Sequence, residues 1–221
     1  METLTNKAIF SNIYAKKLWG GGTEKFYSGG GSHNEKIVKP YINTLIPLIV
    51  NNNIRTITDI GCGDFWIMRQ VLGFLGENNY NFFYNGIDVV EDLINHNRNT
   101  FRHPNIRFHC MDAAQDNVEL PFGELLIIRQ VLQHLSNADI KKILNKARNF
   151  KFLLVTEHIY DGADAVFNVD KIANRDIRLG FKSGVYLEYP PYNYKNIVHL
   201  LKVSEYESND IIRSSLIINE I

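Results

Sequence analysis

A chain of 221 residues, 45% of them hydrophobic, is long enough for one large domain with a sizeable core. Its 24 basic and 24 acidic residues balance without a basic tract, so polymeric DNA or RNA is not an expected partner. Cys62 and Cys110 make neither a metal pattern nor a disulfide framework, no apolar run reaches the ~18 residues of a membrane span, and no charged segment with an apolar core opens the chain; a cytoplasmic location is expected.

Residues 3–18 carry Leu4, Ala8, Ile9, Ile13 and Tyr14 at helical spacing. A loop from Trp19 to Ser32 follows, with six glycines and three aromatics; it reads either as a linker or as a lid that closes over a ligand. Ser32-His33-Asn34-Glu35 has the form of a capping box, with Ser32 as N-cap and Glu35 at the third helical position. It opens a helix over 35–51, which Pro40 and Pro47 are expected to bend or shorten.

The chain then reads strand, glycine turn, helix. An apolar run from Ile54 to Ile60 enters Asp59-Ile60-Gly61-Cys62-Gly63-Asp64, and a helical pattern over 65–76 leaves it. Gly61 and Gly63 can adopt backbone angles closed to other residues, and the helix start presents free N–H groups. Such a turn holds nucleotide-like ligands at the carboxyl edge of a parallel sheet, or it is an ordinary turn with glycines for geometry alone. The third glycine of the dinucleotide fingerprint is replaced by Trp66. Asp59, just ahead of the glycines, disfavours a pyrophosphate and suits a ligand bearing an ammonium group.

A second strand over 82–88 ends in Asp88, where α/β nucleotide folds hold ribose hydroxyls; the competing role is a cap on the helix 90–101. A third strand over 106–111 is followed by Asp112-Ala113-Ala114, and a fourth over 124–128 by Arg129 to Leu135. Ser136 and Asp139 cap a helix over 137–149, and a fifth strand over 152–156 ends in Glu157-His158. The alternation argues a parallel sheet with helices on both faces. Residues 159–195 are irregular and rich in aromatics, and two final strands over 197–203 and 211–218 form an antiparallel hairpin.

From Thr58 to His158 the chain resembles the class I S-adenosylmethionine (SAM)-dependent methyltransferases, whose first motif reads roughly D-x-G-x-G. Asn85-Gly86-Ile87-Asp88-Val89-Val90 is similar to the second motif, and Val131-Leu132-Gln133-His134-Leu135 to the VLxHL run after strand four. Gln130 stands where many relatives carry Asp. The flanks Ser28-Gly29-Gly30-Gly31-Ser32 and Pro190-Pro191-Tyr192-Asn193 resemble a bacterial subgroup associated with surface polysaccharide and small-metabolite modification.

The resemblance implies a Rossmann-like doubly wound, mostly parallel seven-stranded sheet with an antiparallel C-terminal hairpin. Residues 1–52 would form a helical and glycine-loop cap, and 53–221 the core with an acceptor-side insertion at 159–195. It also implies SAM as cofactor and S-adenosylhomocysteine as product, held by Asp59, Gly61, Gly63, Asp88, Asp112, Ala113, Arg129 and Ser32. Trp19, Tyr27, Tyr186 and Tyr192 are candidate acceptor contacts, and aromatic faces in the loop also suit a sulfonium cation.

His134, Glu157 and His158 are candidate bases by their place at the carboxyl edge; His134 also fits a structural histidine, and the other two a solvated loop. The expected reaction is methylation, at oxygen, of a small-molecule, sugar or phosphorylated acceptor. A nicotinamide-dependent oxidoreductase and a non-catalytic SAM-binding module are the alternatives; Trp66 and Asp59 weigh against the first. An Asp/Glu/His grouping could hold Mg²⁺, but no spaced ligand motif is present, and no metal is expected.

Overall fold

The computed structural model describes residues 4–204 and 209–220. Helix α1 (Asn6–Ala15) starts at Thr5, whose hydroxyl accepts the Ala8 N–H at 3.2 Å. After the glycine loop come a single turn, α2 (Gly30–His33), and the long α3 (Glu35–Asn51). The expected capping box is not formed. Asn34, extended at φ −73° and ψ 113°, separates the two helices, and its side chain caps α3 by accepting the Lys36 N–H at 3.0 Å. Ser32 therefore lies inside α2. Helix α3 continues through both Pro40 and Pro47.

The core elements follow as β1 (Thr56–Ile60), α4 (Trp66–Glu77), β2 (Phe83–Asp88), α5 (Glu91–Thr100), β3 (Ile106–Cys110) and β4 (Leu125–Arg129). A 3₁₀ turn (Leu132–His134), α6 (Asn137–Ala147) and β5 (Phe152–Tyr160) complete the winding. An excursion carries the short parallel pair β6 (Val166–Phe167) and β7 (Ser183–Gly184) before β8 (Ile197–Val203) and β9 (Asp210–Ile218). The main sheet has seven strands in the order β3-β2-β1-β4-β5-β9-β8. Strands β1 to β5 are parallel, and β9 pairs antiparallel with both β5 and β8. This is the expected doubly wound sheet with its antiparallel hairpin.

Leu125, Leu126, Ile127 and Ile128 of β4 are all buried because both faces of the sheet are covered. Side chains alternate between faces. Ile57, Leu125 and Ile127 pack with Tyr41, Leu45 and Ile49 of α3 and Val71 and Leu75 of α4. Leu126, Ile128 and Leu153 pack with Ile140, Ile143 and Leu144 of α6. Helix α3 thus packs as a layer of the core.

Strand β5 reaches Tyr160 because β9 pairs with all nine of its residues, Phe152↔Ile218 through Tyr160↔Asp210. Glu157 and His158 consequently sit within a strand and not at its end. The winding reverses between β1 and β4, and this switch point opens a crevice at the carboxyl ends of the strands. Among the described residues no helix is long and apolar enough to cross a membrane.

Candidate functional site

The turn after β1 makes the floor of the crevice. Gly61 and Gly63 take left-handed angles, φ +73° and +54°. The N–H groups of Gly61 and Cys62 donate to the Ile87 carbonyl at 2.8 and 2.9 Å, which ties the turn to the end of β2. The Gly63 N–H donates to Asp88 Oδ2 at 3.2 Å, and Asn97 Nδ2 donates to the Gly63 carbonyl at 2.8 Å.

Above the turn lies a cavity of about 770 Å³, within the ~300–1,000 Å³ of small-ligand sites. Gly61, Gly63, Asp88, Asp112, Ala113, Arg129 and Ser32 all line it, as do Trp19, His134 and His158. Asp59 lies beneath, in a recess of about 40 Å³ that shares Ser28, Ser32, Gly61, Gly63 and Arg129 with the cavity. The chain order of the acids has become a spatial order around one space.

The charges there are buried. Asp59 Oδ2 accepts the Tyr84 hydroxyl at 2.7 Å, yet burial pushes its pKa up to about 7. Arg129, whose pKa burial lowers, donates from Nη2 to the Gly31 carbonyl at 2.6 Å and lies 4.9 Å from the Tyr41 ring centre. Its Nε has no hydrogen-bond partner among the described residues, an orphaned donor of the kind a ligand satisfies. Burial raises Asp88 to about 6, against the stabilising N–H groups of Val90 (3.0 Å) and Gly63 (3.2 Å). Asp112 accepts from Ala114 N–H at 2.9 Å, Gln115 Nε2 at 3.2 Å and Asn6 Nδ2 at 3.3 Å.

The three candidate bases separate. Glu157 is buried, and both oxygens are occupied by backbone: Oε1 accepts from Val131 and Leu132 at 3.2 and 3.0 Å, and Oε2 from Gln133 at 3.0 Å. It does not line the cavity, so it anchors a turn and does not serve as a base. Gln133 Oε1 accepts the His158 N–H at 2.9 Å, which turns its amide nitrogen toward His134 Nε2, 3.3 Å away. That ring nitrogen must then accept, leaving the ring hydrogen on Nδ1. Nδ1 is itself buried with no hydrogen-bond partner among the described residues, and burial, followed by the Lys171 cation, lowers the His134 pKa to about 4. The ring is neutral and packs 5.3 Å from Trp19 and 6.5 Å from Phe10, centre to centre. His134 is a wall, and His158 is the candidate base left facing the cavity.

Three expected acceptor contacts lie elsewhere. Tyr27 stacks on His33 at 4.2 Å, and His33 on Trp66 at 5.1 Å, outside the cavity. Tyr186 is buried in the excursion, its hydroxyl donating to the Tyr160 carbonyl. Tyr192 donates to Asn137 Oδ1 at 2.8 Å and packs into the core. The Tyr186 and Tyr192 hydroxyls are consumed by structure because each ring is buried and needs a partner there.

Several contributors were not anticipated. Asn6, Phe10 and Tyr14 of α1 line the cavity, as do Arg175, Asp176 and Ile177 of the excursion. The spacing of Phe10 and Tyr14 on an amphipathic helix was a usable signal; nothing local marks 175–177. Asp64 was another. Its Oδ2 accepts the Ser28 N–H at 2.8 Å, the Ser28 hydroxyl accepts the Asp64 N–H at 2.8 Å, and His33 Nε2 lies 2.7 Å from the same carboxylate. These bonds fasten the glycine loop across the cavity, with Gly29, Gly30 and Gly31 on its wall. Among the described residues no group of three or more His, Cys, Asp or Glu side chains could hold a metal ion.

No sequence-family model matches the chain, and no curated protein sequence matches it significantly. Solved structures do match. Human N-acetylserotonin methyltransferase, crystallised with SAM, superposes with a TM-score of 0.61 at 12% identity over 99% of this chain and 61% of that one. This chain therefore spans about three-fifths of the human protein's length. The N-methyltransferase NodS from Bradyrhizobium japonicum WM9, in complex with S-adenosyl-L-homocysteine, gives 0.58 at 12% identity over 84% of this chain and 88% of that chain. Magnesium protoporphyrin IX methyltransferase from Synechocystis PCC 6803, with bound SAM, gives 0.57 at 12% identity over the whole of both chains. At these identities the likeness is one of fold: the chain has the α/β architecture found in these methyltransferase structures.

Proposed function

We propose that this chain is a SAM-dependent methyltransferase acting on a small acceptor. The observation that carries the reading is the gathering of Asp59, Gly61, Gly63, Asp88 and Asp112 around one cavity and its floor, beside a buried arginine with an unsatisfied Nε. The residues fit the cofactor's chemistry end by end. Arg129 would face a carboxylate and Asp59 an ammonium, the two halves of an amino-acid group. Asp88 keeps one lone pair on each oxygen for a ribose diol, and Asp112 with Ala113 borders the adenine position.

SAM supplies an activated methyl group when bound, so the protein's task is to position donor and acceptor and exclude water. Trp19 and the latched glycine loop close the space. His158 would take the proton of an acceptor hydroxyl. Arg175, at the cavity rim, would favour an acceptor carrying an anionic group. Hydroxyls of sugar-containing or phosphorylated small molecules, including cytoplasmic precursors of surface polysaccharide, are the acceptors to screen first.

Calorimetric titration with S-adenosylhomocysteine tests the reading, with NADH as the parallel ligand. Micromolar binding of the first and none of the second is expected; binding of NADH alone would overturn it. The pH dependence follows from Asp59. Burial favours its neutral form, so in the free protein its contribution to stability is greatest at low pH and is lost as pH rises through about 7. A ligand ammonium reverses the preference and binds the carboxylate. With a pKa near 7, Asp59 is about one-tenth ionised at pH 6, so affinity should be about tenfold weaker there than at pH 8. Asp88, raised to about 6, shifts affinity in the same direction at still lower pH. Asp59→Asn should flatten this profile.

The loop gives a second check. Lys25 is an exposed tryptic site within it. If cleavage requires the loop to lift, S-adenosylhomocysteine at ten times its Kd should slow cutting after Lys25 by roughly tenfold. Unchanged cleavage would reduce the segment to a linker.

A further inference from the structure

We propose that Arg178 and Glu157 are a pair of positioning residues that grip the turn 131–135 from opposite sides and so hold the Gln133–His134 wall of the cavity in place; the inference rests on the reading of that cavity given above. A one-turn 3₁₀ helix exposes N–H groups at one end and carbonyls at the other. Here a buried carboxyl group takes the first set, and a buried arginine with a half-buried lysine takes the second.

Glu157 accepts the N–H groups of Val131, Leu132 and Gln133. Arg178 is fully buried, and all five of its N–H groups are used. Nη1 donates to the carbonyls of Leu132 (3.2 Å) and Gln133 (3.0 Å), and Nη2 to the Leu135 carbonyl (2.7 Å) and Asn137 Oδ1 (3.1 Å). Nε donates to the Val169 carbonyl at 2.7 Å. The remaining carbonyl, that of His134, accepts from Asn174 N–H at 3.1 Å and Lys171 Nζ at 3.3 Å. Every carbonyl from 132 to 135 is therefore held by the excursion.

A buried arginine is an expensive way to fill space, and apolar side chains of similar volume usually serve stability as well or better. What it adds is direction. The planar fork fixes several acceptors at once, which a flexible ammonium does not do. The consequence reaches the cavity through Gln133, whose amide bridges the His158 backbone and the His134 ring. Arg178 also follows directly on Arg175, Asp176 and Ile177, so the same grip ties that rim to the turn.

The test is the titration of the His134 imidazole, followed by NMR in the full-length protein and assigned by difference against His134→Asn. Lys171 is the cation that acts on this ring, Arg175 and Asp176 line the same cavity, and Arg178 and Glu157 bind the backbone of its turn. Arg178→Lys keeps the charge and loses the fork; Arg178→Gln loses both. In wild type the ring stays neutral to about pH 4. In Arg178→Lys the midpoint should rise by about one unit toward the ordinary 6.5, and by more in Arg178→Gln, as water reaches a loosened turn. S-adenosylhomocysteine affinity should stay within about threefold in both, because Asp59, Asp88 and Asp112 lie on other elements.

An unmoved His134 midpoint in a folded variant overturns the proposal. So does a parallel collapse of S-adenosylhomocysteine affinity, or failure of both variants to fold, either of which would make the grip part of the general scaffold. If Arg178→Gln alone fails to fold, Arg178→Lys gives the reading. Should wild type bind no S-adenosylhomocysteine, the methyltransferase reading fails while the imidazole titration still judges the clamp.

Discussion

Asp88→Ala should weaken S-adenosylhomocysteine binding by on the order of 100-fold. The Asp88 carboxylate spends one lone pair of Oδ1 on the Val90 N–H and one of Oδ2 on the Gly63 N–H, at 3.0 and 3.2 Å. Each oxygen keeps another for a ribose hydroxyl. Hydrogen bonds to a charged group contribute about 1.5 to 3 kcal/mol each, so losing two at the lower figure removes ~3 kcal/mol, or about two decades of affinity. The same truncation strands two backbone N–H groups, at about 1 kcal/mol or more each, which should lower Tm by roughly 6 °C. Asp88→Asn keeps one acceptor and should lose about tenfold. Asp88→Ala protein that binds within threefold of wild type would remove Asp88 from the site and leave it as a brace of the turn before α5, whose N-cap is Val90.

Gly61→Ala should be strongly damaging to both stability and binding. At φ +73° an L-residue costs about 1–2 kcal/mol. A Cβ built there would also stand 2.2 Å from Val131 Cγ2, so the valine side chain or the turn must shift. Overpacking of this kind costs typically ~1–3 kcal/mol. A combined loss near 3 kcal/mol corresponds to a fall in Tm of about 10 °C in a domain of this size. Gly61 itself lines the cavity and its N–H ties the turn to the Ile87 carbonyl, so distortion there should cut S-adenosylhomocysteine affinity by at least about tenfold. Gly73 in α4 is the control: it meets nothing within 4 Å of a new Cβ, and its alanine should be neutral or stabilise by about 0.5–1 kcal/mol. Equal melting temperatures for the two variants would mean that the turn after β1 is not under the constraint described.

Much of this protein is written locally in its sequence. The seven strands of the main sheet, the helices between them and the glycine turn were legible because periodicity and turn chemistry act over a few residues. The places of Asp88 and Asp112 were legible for a related reason: in a parallel sheet every strand delivers its carboxyl end to the same edge, so order along the chain becomes position around one crevice.

What tertiary structure alone decided is which polar groups remain free to act. Glu157 and Asp88 look alike in sequence, each an acid near the end of an apolar run. Glu157 is consumed by three N–H groups 24 to 26 residues upstream, while Asp88 retains lone pairs beside the cavity. Strand β5 ran four residues past its predicted end because its partner β9 lies some 60 residues downstream. Tyr186 and Tyr192, expected at the acceptor, bury their hydroxyls against Tyr160 and Asn137 instead. Arg178 carried no local signal at all, since its acceptors at 132, 133, 135 and 137 are 41 to 46 residues away. Hydrophobic pattern sets where an element lies, but a buried charge or hydroxyl takes its role from whichever partners folding brings within 3 Å, and those partners are set by the packing of the whole chain.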